Sequence, residues 1–578
     1  MKESPYLIYD FADDSGKPNT KVFKAPVQIL STDKVNEVQG VFEEVEKALD
    51  QGYYVAGYVS YEAAPAFDRS LVAHTNSKWP LVWFGVFNGY ESAPAVSGNH
   101  PFEVSSWKMR GDFNAYKHGM KRIKRGIELG DTYQVNYTTR MEADFAGDDY
   151  SFYRKLVRNQ QSSYSAYLNM GERRILSASP ELFFRINKNK ITTKPMKGTA
   201  ERGRFFQEDV NQKKHLTSSN KEKSENLMIV DLLRNDLGRI AVPGSVRVPC
   251  LFEVETYPTV HQMTSTVEAV LPESFVMFEL FGALFPCGSI TGAPKVRTMK
   301  YITDLEDSPR EVYCGAIGYM TPNHEAIFNV PIRTVMIDET KGKATYGTGG
   351  GVTWDSTSEG EFEELKTKTR LLTEDRPRFE LLETMKVQNG VIPLLPYHIN
   401  RLMQSADYFE FPVERDKLLE ECEKVVEENP AGLHKVRMLV GESGDCKIET
   451  KPIESQSPIV KCSLATTPVD ERNPFLFHKT THRQVYNQHK RRGTDATLLW
   501  NSKGQLTEFT IANLVVKVND EYYTPPVECG LLAGTFREKL LEGGVIEEKV
   551  IHKEELSQCK EIWMINGVRG WVEVNLTE

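Results

Sequence analysis

Several groups of residues in this 578-residue chain have the types and spacing that do chemistry. Glu222 and Glu225 stand three apart, and Glu361 and Glu364 repeat the spacing with Lys368 one turn later. On a helix, each pair shares one face. Two such faces turned toward each other repel unless a cation lies between them, and hard carboxylate oxygens with room for water suit Mg²⁺. That cation, with Lys368 as a second positive group, would hold a substrate carboxylate. Salt-bridged surface helices carry glutamates at the same spacing, and on spacing alone that ordinary reading prevails. The run Gly349-Gly350-Gly351 lets backbone N–H groups approach an anion closely, or makes a tight turn between strands. GSITGAPK, 288 to 295, lacks the G-K-[ST] ending of a phosphate loop and is set aside. Gly534 and Thr535 stand at a helix start, where free N–H groups and the dipole favour a phosphate, although a plain helix cap explains them equally. Two lysines, Lys197 before Gly198-Thr199 and Lys479 far downstream, are candidate nucleophiles. Such an amine must be neutral, and nearby cations or burial move it toward that state. Pairing with a carboxylate is the ordinary alternative.

The elements that must position these groups are legible in outline. Residues 1 to about 110 alternate short apolar runs with turns and read as strands. Residues 113 to 129 read as an amphipathic helix, with Phe113, Tyr116, Met120, Ile123 and Ile127 on one face and Gly130 as its stop. From 164 to 268, strand-like segments alternate with a long helical stretch near 207 to 233, and a mixed block runs to about 372. TEDRPR, 373 to 378, is charged, holds a proline and reads as a linker. FELLETMKVQNGVIPLL reads as a hairpin with Asn389-Gly390 at its turn. A helix from Tyr397 to Phe409 follows, and the rest is mixed α and β.

Composition removes whole classes of function. The chain is long enough for more than one domain. A formal charge of −9 gives no basic footprint, so nucleic acid is not expected as a partner. No apolar run reaches the roughly 18 residues of a membrane span. The N-terminus has no signal-like apolar region and is acidic, so a cytoplasmic protein is expected. Eight scattered cysteines, none spaced C-x-x-C, fit reduced thiols.

Eight segments occur in the order found in the chorismate-utilising family: GDTYQVNYTTR, SASPELFF, KPMKGTAERGR, ENLMIVDLLRNDLGR, VHQMTSTVEA, GSITGAPK, YCGAIGY, and GTGGGVTWDS with its following EFEEL..K. The chain resembles that family over residues 110 to 372, and the less similar first hundred residues would complete the same domain. The resemblance implies one large α/β unit, residues 1–372, with a two-layered, mainly antiparallel sheet core and helices outside. It implies Glu225 and Glu364 as Mg²⁺ ligands, with Glu222 and Glu361 supporting through water. Tyr313, Arg333, Gly349 and Lys368 would hold the substrate carboxylates. Glu181 would be the acid at the ring hydroxyl, and Thr199, His261 and Thr291 would line the pocket. The residue before Gly-Thr varies with the chemistry. Alanine stands there in anthranilate synthases, whereas a lysine such as Lys197 attacks the ring in the aminodeoxychorismate-forming members.

Residues 379–578 resemble the fold-type IV class of pyridoxal 5'-phosphate (PLP) enzymes, which includes transaminases and aminodeoxychorismate lyase. A smaller α+β domain is implied. Lys479 would bind the cofactor covalently and Glu508 would pair with its ring nitrogen, near Asn513. Arg401 with the backbone at Gly534 and Thr535 would take the phosphate, and Tyr486 would contact the cofactor. The hairpin that usually opens this class is shortened here. Together the two resemblances imply a bifunctional enzyme that makes 4-amino-4-deoxychorismate from chorismate and ammonia, then 4-aminobenzoate and pyruvate, on the folate route. No cysteine stands in a G-x-C-x-G context, so ammonia would come from a separate glutaminase subunit or from solution. Dimerisation would run through the second domain. An anthranilate synthase component fused to a transaminase, and a non-catalytic chorismate-binding scaffold, are the alternatives. Lys197 opposes the first, and the presence of both lysines and all four glutamates opposes the second.

Overall fold

The computed structural model describes residues 5–13, 16–92, 100–453 and 459–577. The architecture is α+β, and the chain divides into two compact units. The first runs to Glu201 and resumes over Lys213–Arg376; the second combines Arg202–Gln212 with Pro377 onward. The expected first domain was continuous to 372. RGRFFQEDVNQ has no composition that marks it off from its flanks, which is why sequence reading missed the exchange.

Two ten-stranded, antiparallel sheets build the first unit. Aromatic side chains from both, among them Tyr9, Phe11, Trp83, Phe87 and Tyr319, interlock into a buried cluster. In one sheet the long strand Gln134–Gly147 pairs with Lys343–Val352. The glycine run lies inside that ladder, opposite Asn136, Tyr137 and Thr138, so it is neither a turn nor a loop. In the other sheet Met196–Glu201 pairs with Val260–Val270, and the register slips between Met196 and Thr199. Such a bulge re-aims a side chain. Gly198, at φ +103°, supplies the left-handed conformation it needs.

The helix over Phe113–Glu128 forms as its apolar spacing predicts, capped by Asp112, which accepts the Ala115 N–H. The helical stretch expected near 207 to 233 is two helices, Phe206–Ser218 and Asn220–Gly238, because Ser219 turns extended and caps the second through the Glu222 N–H. Ser358–Thr373 is the helix that carries Glu361, Glu364 and Lys368.

In the second unit, Leu381–Gln388, Leu433–Val440 and Cys446–Pro452 form a three-stranded antiparallel sheet. The hairpin read at Asn389-Gly390 does not form. Both turn residues adopt positive φ, but only Gln388 and Val391 bridge, and Leu381–Gln388 pairs with Leu433–Val440 instead. Ile392 and Leu394 are buried, which turns the chain into the helix Leu395–Phe409. An eight-stranded mixed sheet completes the unit. The inserted segment is well held there. Arg202 forms a buried ion pair with Asp209 at 2.7 Å and donates to the Tyr408 carbonyl, while the Tyr408 hydroxyl donates to the Gly203 carbonyl at 2.8 Å. The Phe205 ring packs on Phe477 with centroids 5.4 Å apart.

Candidate functional sites

A cavity of about 230 Å³ in the first unit gathers most of the residues singled out there. Lys197, Thr199, Glu181, Tyr313, Arg333, Gly349 and Lys368 line it, as do Glu222, Glu225, Glu361 and Glu364. His261 and Thr291 do not. Both are fully buried, and the Thr291 hydroxyl is spent on the Cys287 carbonyl while the His261 ring bonds to Thr256. Neither side chain is part of the cavity lining.

Within the cavity the charges are paired. The Lys197 ammonium lies 3.1 Å from Glu225, and Lys368 lies 2.6 Å from Glu364 and donates to the Gly349 carbonyl at 2.7 Å. Lys368 holds the Glu364 carboxyl below its ordinary value. Burial, then the neighbouring Glu364, raises Glu361; burial, then Glu225, raises Glu222. Each glutamate pair is thus internally repulsive, as the helical spacing requires. Among the described residues no three His, Cys, Asp or Glu side chains are drawn together into a ligand shell. All four carboxylates nonetheless open on one cavity, so their oxygens are the donor chemistry a hard divalent cation takes.

Glu181 differs from the other acids. Burial pushes its carboxyl up to about 7, against the Ser289 hydroxyl, which donates to it at 2.5 Å. A carboxyl in that range delivers a proton near neutral pH. Sequence reading missed Ser289 and Gln134. Gln134 is fully buried, and neither its amide nitrogen nor its amide oxygen has a hydrogen-bond partner. The space beside the Gly351 α-carbon is shared by the Gln134 amide and the Lys197 ammonium, each 2.7 Å from where a β-carbon would sit. Gln134 belongs to the quoted GDTYQVNYTTR segment, but a lone glutamine carries no signal that it faces a lysine 63 positions away.

A larger cavity, about 560 Å³, lies in the second unit and is lined by Lys479, Arg401, Glu508, Asn513, Gly534, Thr535 and Tyr486. Lys479 lies outside helices and strands, pinned by its carbonyl, which accepts the Leu382 N–H at 2.9 Å. Burial, then the Arg401 cation, lowers its amine to about 8. Glu508 and Asn513 face each other across adjoining strands, and the Tyr486 hydroxyl donates to Glu508 at 2.9 Å. Burial raises Glu508 to about 7 against its hydrogen bonds from the Leu532 N–H and Tyr486. Arg401 forms a two-pronged pair with buried Glu383, at 2.8 and 2.7 Å, and His398 bonds to the same carboxylate at 2.7 Å. Burial works to raise Glu383, but Arg401 and His398 outweigh it and bring it down to about 2. This buried acid fixes the guanidinium, and the sequence hid it in an ordinary apolar strand. Gly534 caps the helix Thr535–Glu542, and a β-carbon there would meet the Asn513 amide oxygen at 1.9 Å. The loop Asn566–Arg569, which no sequence argument found, closes the same side of the cavity.

These residues suit PLP. A fixed guanidinium and a helix start with free N–H groups meet a phosphate. A buried acid would meet a ring nitrogen, and an amine of lowered pKa would meet an aldehyde.

Comparison with known proteins places both halves. Residues 10–374 match the family of chorismate binding enzymes, and residues 380–576 match amino-transferase class IV. Aminodeoxychorismate synthase component 1 of Salmonella typhimurium is 42% identical over 265 residues, which is 46% of this chain and 58% of that protein. The chain thus spans less than two thirds of the length of that relative. Anthranilate synthase component 1 of Saccharolobus solfataricus is 31% identical over 363 residues, 59% of this chain and 86% of that protein. The crystal structure of anthranilate synthase component I from Streptococcus pneumoniae TIGR4 shares the fold, with a TM-score of 0.54 and 23% identity over 65% of this chain and 93% of that one. The chain belongs to the chorismate binding enzyme family and carries an amino-transferase class IV domain behind it.

Proposed function

We propose that the first cavity converts chorismate and ammonia to 4-amino-4-deoxychorismate and that the second converts this product to 4-aminobenzoate and pyruvate. The observation that carries the reading is the Lys197 ammonium inside a carboxylate-lined cavity, on one chain with a second cavity built around Lys479. Attack requires the free amine, so the Lys197–Glu225 ion pair must open first. Lys197 then adds at C2 of the ring while the C4 hydroxyl leaves, protonated by Glu181. Ammonia, from a separate glutaminase subunit or from solution, adds at C4 and expels the lysine. Lys368, Arg333 and Tyr313 orient the substrate carboxylates. Glu225 and Glu364 would hold Mg²⁺, with Glu222 and Glu361 beside them; the cation would neutralise a carboxylate of the substrate.

In the second cavity, PLP supplies an electron sink when bound. Lys479 holds it and carries protons at its Nζ. Glu508 fixes the charge at the ring nitrogen, supported by Tyr486 and Asn513. Arg401, Gly534 and Thr535 grip the phosphate.

The purified chain given chorismate, ammonium and Mg²⁺ should release 4-aminobenzoate and pyruvate only with PLP, and should accumulate aminodeoxychorismate without it. Chelator should stop both, and added Mg²⁺ should restore both. Anthranilate as the product would move the assignment to the anthranilate-forming branch. The acid role of Glu181 gives a separate expectation. Its carboxyl loses its proton as pH rises through about 7, so kcat of the first reaction should fall by about tenfold per unit above that point. Glu181→Gln should lower the rate by about 10²–10⁴-fold. A pH-rate profile that still declines in that variant would remove Glu181 from the role.

A further inference from the structure

A row of three lysines crosses the small sheet of the second unit. Lys386 pairs directly with Lys435, and Lys435 pairs directly with Lys451. Opposed side chains on neighbouring antiparallel strands lie roughly 5 Å apart at Cβ, and like charges placed so are destabilising. Among the described residues none of the three side chains has an ion pair or a hydrogen bond, whereas Arg437, two residues along on the same face, is neutralised by Glu449 at 3.2 Å. Lys435 and Lys451 are exposed and Lys386 is half-buried. Protection of a sheet edge accounts for a lysine on Cys446–Pro452, which is an edge strand. It does not account for Lys435, which stands on the central strand.

The row has a direction. Alternation along a strand puts Lys386 on the same face as Leu382 and Thr384, and both of these line the second cavity. Lys435 lines it too, and Pro452 and Ile453 continue the wall after Lys451. The opposite face, with Met385, Val387, Val436 and Met438, is buried in the core. An uncompensated cationic strip on a chain of formal charge −9 therefore ends at the mouth of one cavity. Inside, Arg401 is held by Glu383 and Arg483 donates to the Thr510 carbonyl, whereas the three lysines carry no such partner among the described residues.

We propose that Lys386, Lys435 and Lys451 form an entry strip for a small substrate carrying two carboxylates, with Lys435 as the contact for the carboxylate that points away from the reacting amine. This rests on the reading of the second cavity given above. A charged entrance of this kind raises capture rather than turnover. The supplying reaction must then yield a dicarboxylate amine, which is the chemistry assigned to the first cavity.

The test uses the full-length holoenzyme and the triple variant Lys386→Gln/Lys435→Gln/Lys451→Gln, with prepared 4-amino-4-deoxychorismate and pyruvate release as the readout. At low ionic strength the variant should lose about tenfold in kcat/KM, with the loss on KM. Wild type should lose a similar factor between 20 and 300 mM KCl, and the variant should be nearly flat, since salt screens what the substitutions remove. The triple Lys→Arg variant should keep both the value and the salt slope. A glutamine variant that retains wild-type kcat/KM and slope overturns the proposal. If no protein releases pyruvate, the substrate reading has failed, and binding of isophthalate and benzoate to the holoenzyme by calorimetry decides the strip alone. Wild type should prefer the dicarboxylate and the glutamine variant should not; equal preference in both would overturn it.

Discussion

Lys479→Ala will consume chorismate at the normal rate and release neither 4-aminobenzoate nor pyruvate. Borohydride reduction of the PLP-loaded wild type should fix the cofactor to Lys479, and the mapped peptide should lose its label in the variant. Turnover in the second cavity should fall by at least about 10⁴-fold, because the substitution removes both the attachment point and the group that moves the proton. The first cavity should be untouched, since Lys197 and its glutamates belong to a different compact unit. Aminodeoxychorismate should accumulate in amounts matching the chorismate lost. Normal release of 4-aminobenzoate by Lys479→Ala would show that the second unit is not the lyase, and a transaminase assay would be the next measurement. The lowered pKa of Lys479 adds a pH expectation. Burial and Arg401 bring its amine to about 8, so attachment of PLP should be faster at pH 8 than at pH 6, where the amine is protonated.

Lys197→Ala should give the complementary phenotype. Formation of aminodeoxychorismate should drop by about 10³-fold or more, as expected when a covalent nucleophile is removed. Visible absorbance of bound PLP should be unchanged, and prepared aminodeoxychorismate should still be converted to 4-aminobenzoate. Loss of the ammonium also frees Glu225 from its 3.1 Å partner. Chorismate binding, measured separately, distinguishes a lost nucleophile from a disturbed cavity: KM should move by a small factor and kcat should carry the loss. Full synthase activity in Lys197→Ala would remove the covalent step.

The parts of these sites that were legible in the sequence were those whose chemistry depends on residue type at short spacing. The glutamate pairs, Lys368 and the Gly534-Thr535 helix start belong here. What escaped depended on long-range pairing. Glu383 looks like any polar residue in an alternating strand until the fold sets His398 and Arg401 against it. Gln134 and Lys197, on strands of different sheets, come to the same glycine, Gly351, only once the fold is complete. His261 and Thr291 lie within the right segments yet face the wrong way, because a strand sends alternate side chains to opposite faces and Thr291 spends its hydroxyl on the local turn. The Asn389-Gly390 signal produced its turn but no hairpin, since burying Ile392 and Leu394 outweighed a second strand.

The exchange of Arg202–Gln212 into the second unit sets an order of events during synthesis. Arg202 waits for Tyr408, 206 residues later, and Arg204 for the Glu528 carbonyl, 324 residues later. At about 5–20 residues per second, the earlier of these gaps lasts on the order of ten to forty seconds on the ribosome. Throughout that interval Phe205 has not met Phe477, and the Arg202–Asp209 pair lacks the groups that bury it. The second unit is therefore completed by a piece of chain made long before the rest of it. A gene cut at the 376/377 boundary would separate that piece from the unit it finishes, so the two halves are one inheritance even where their chemistries are two.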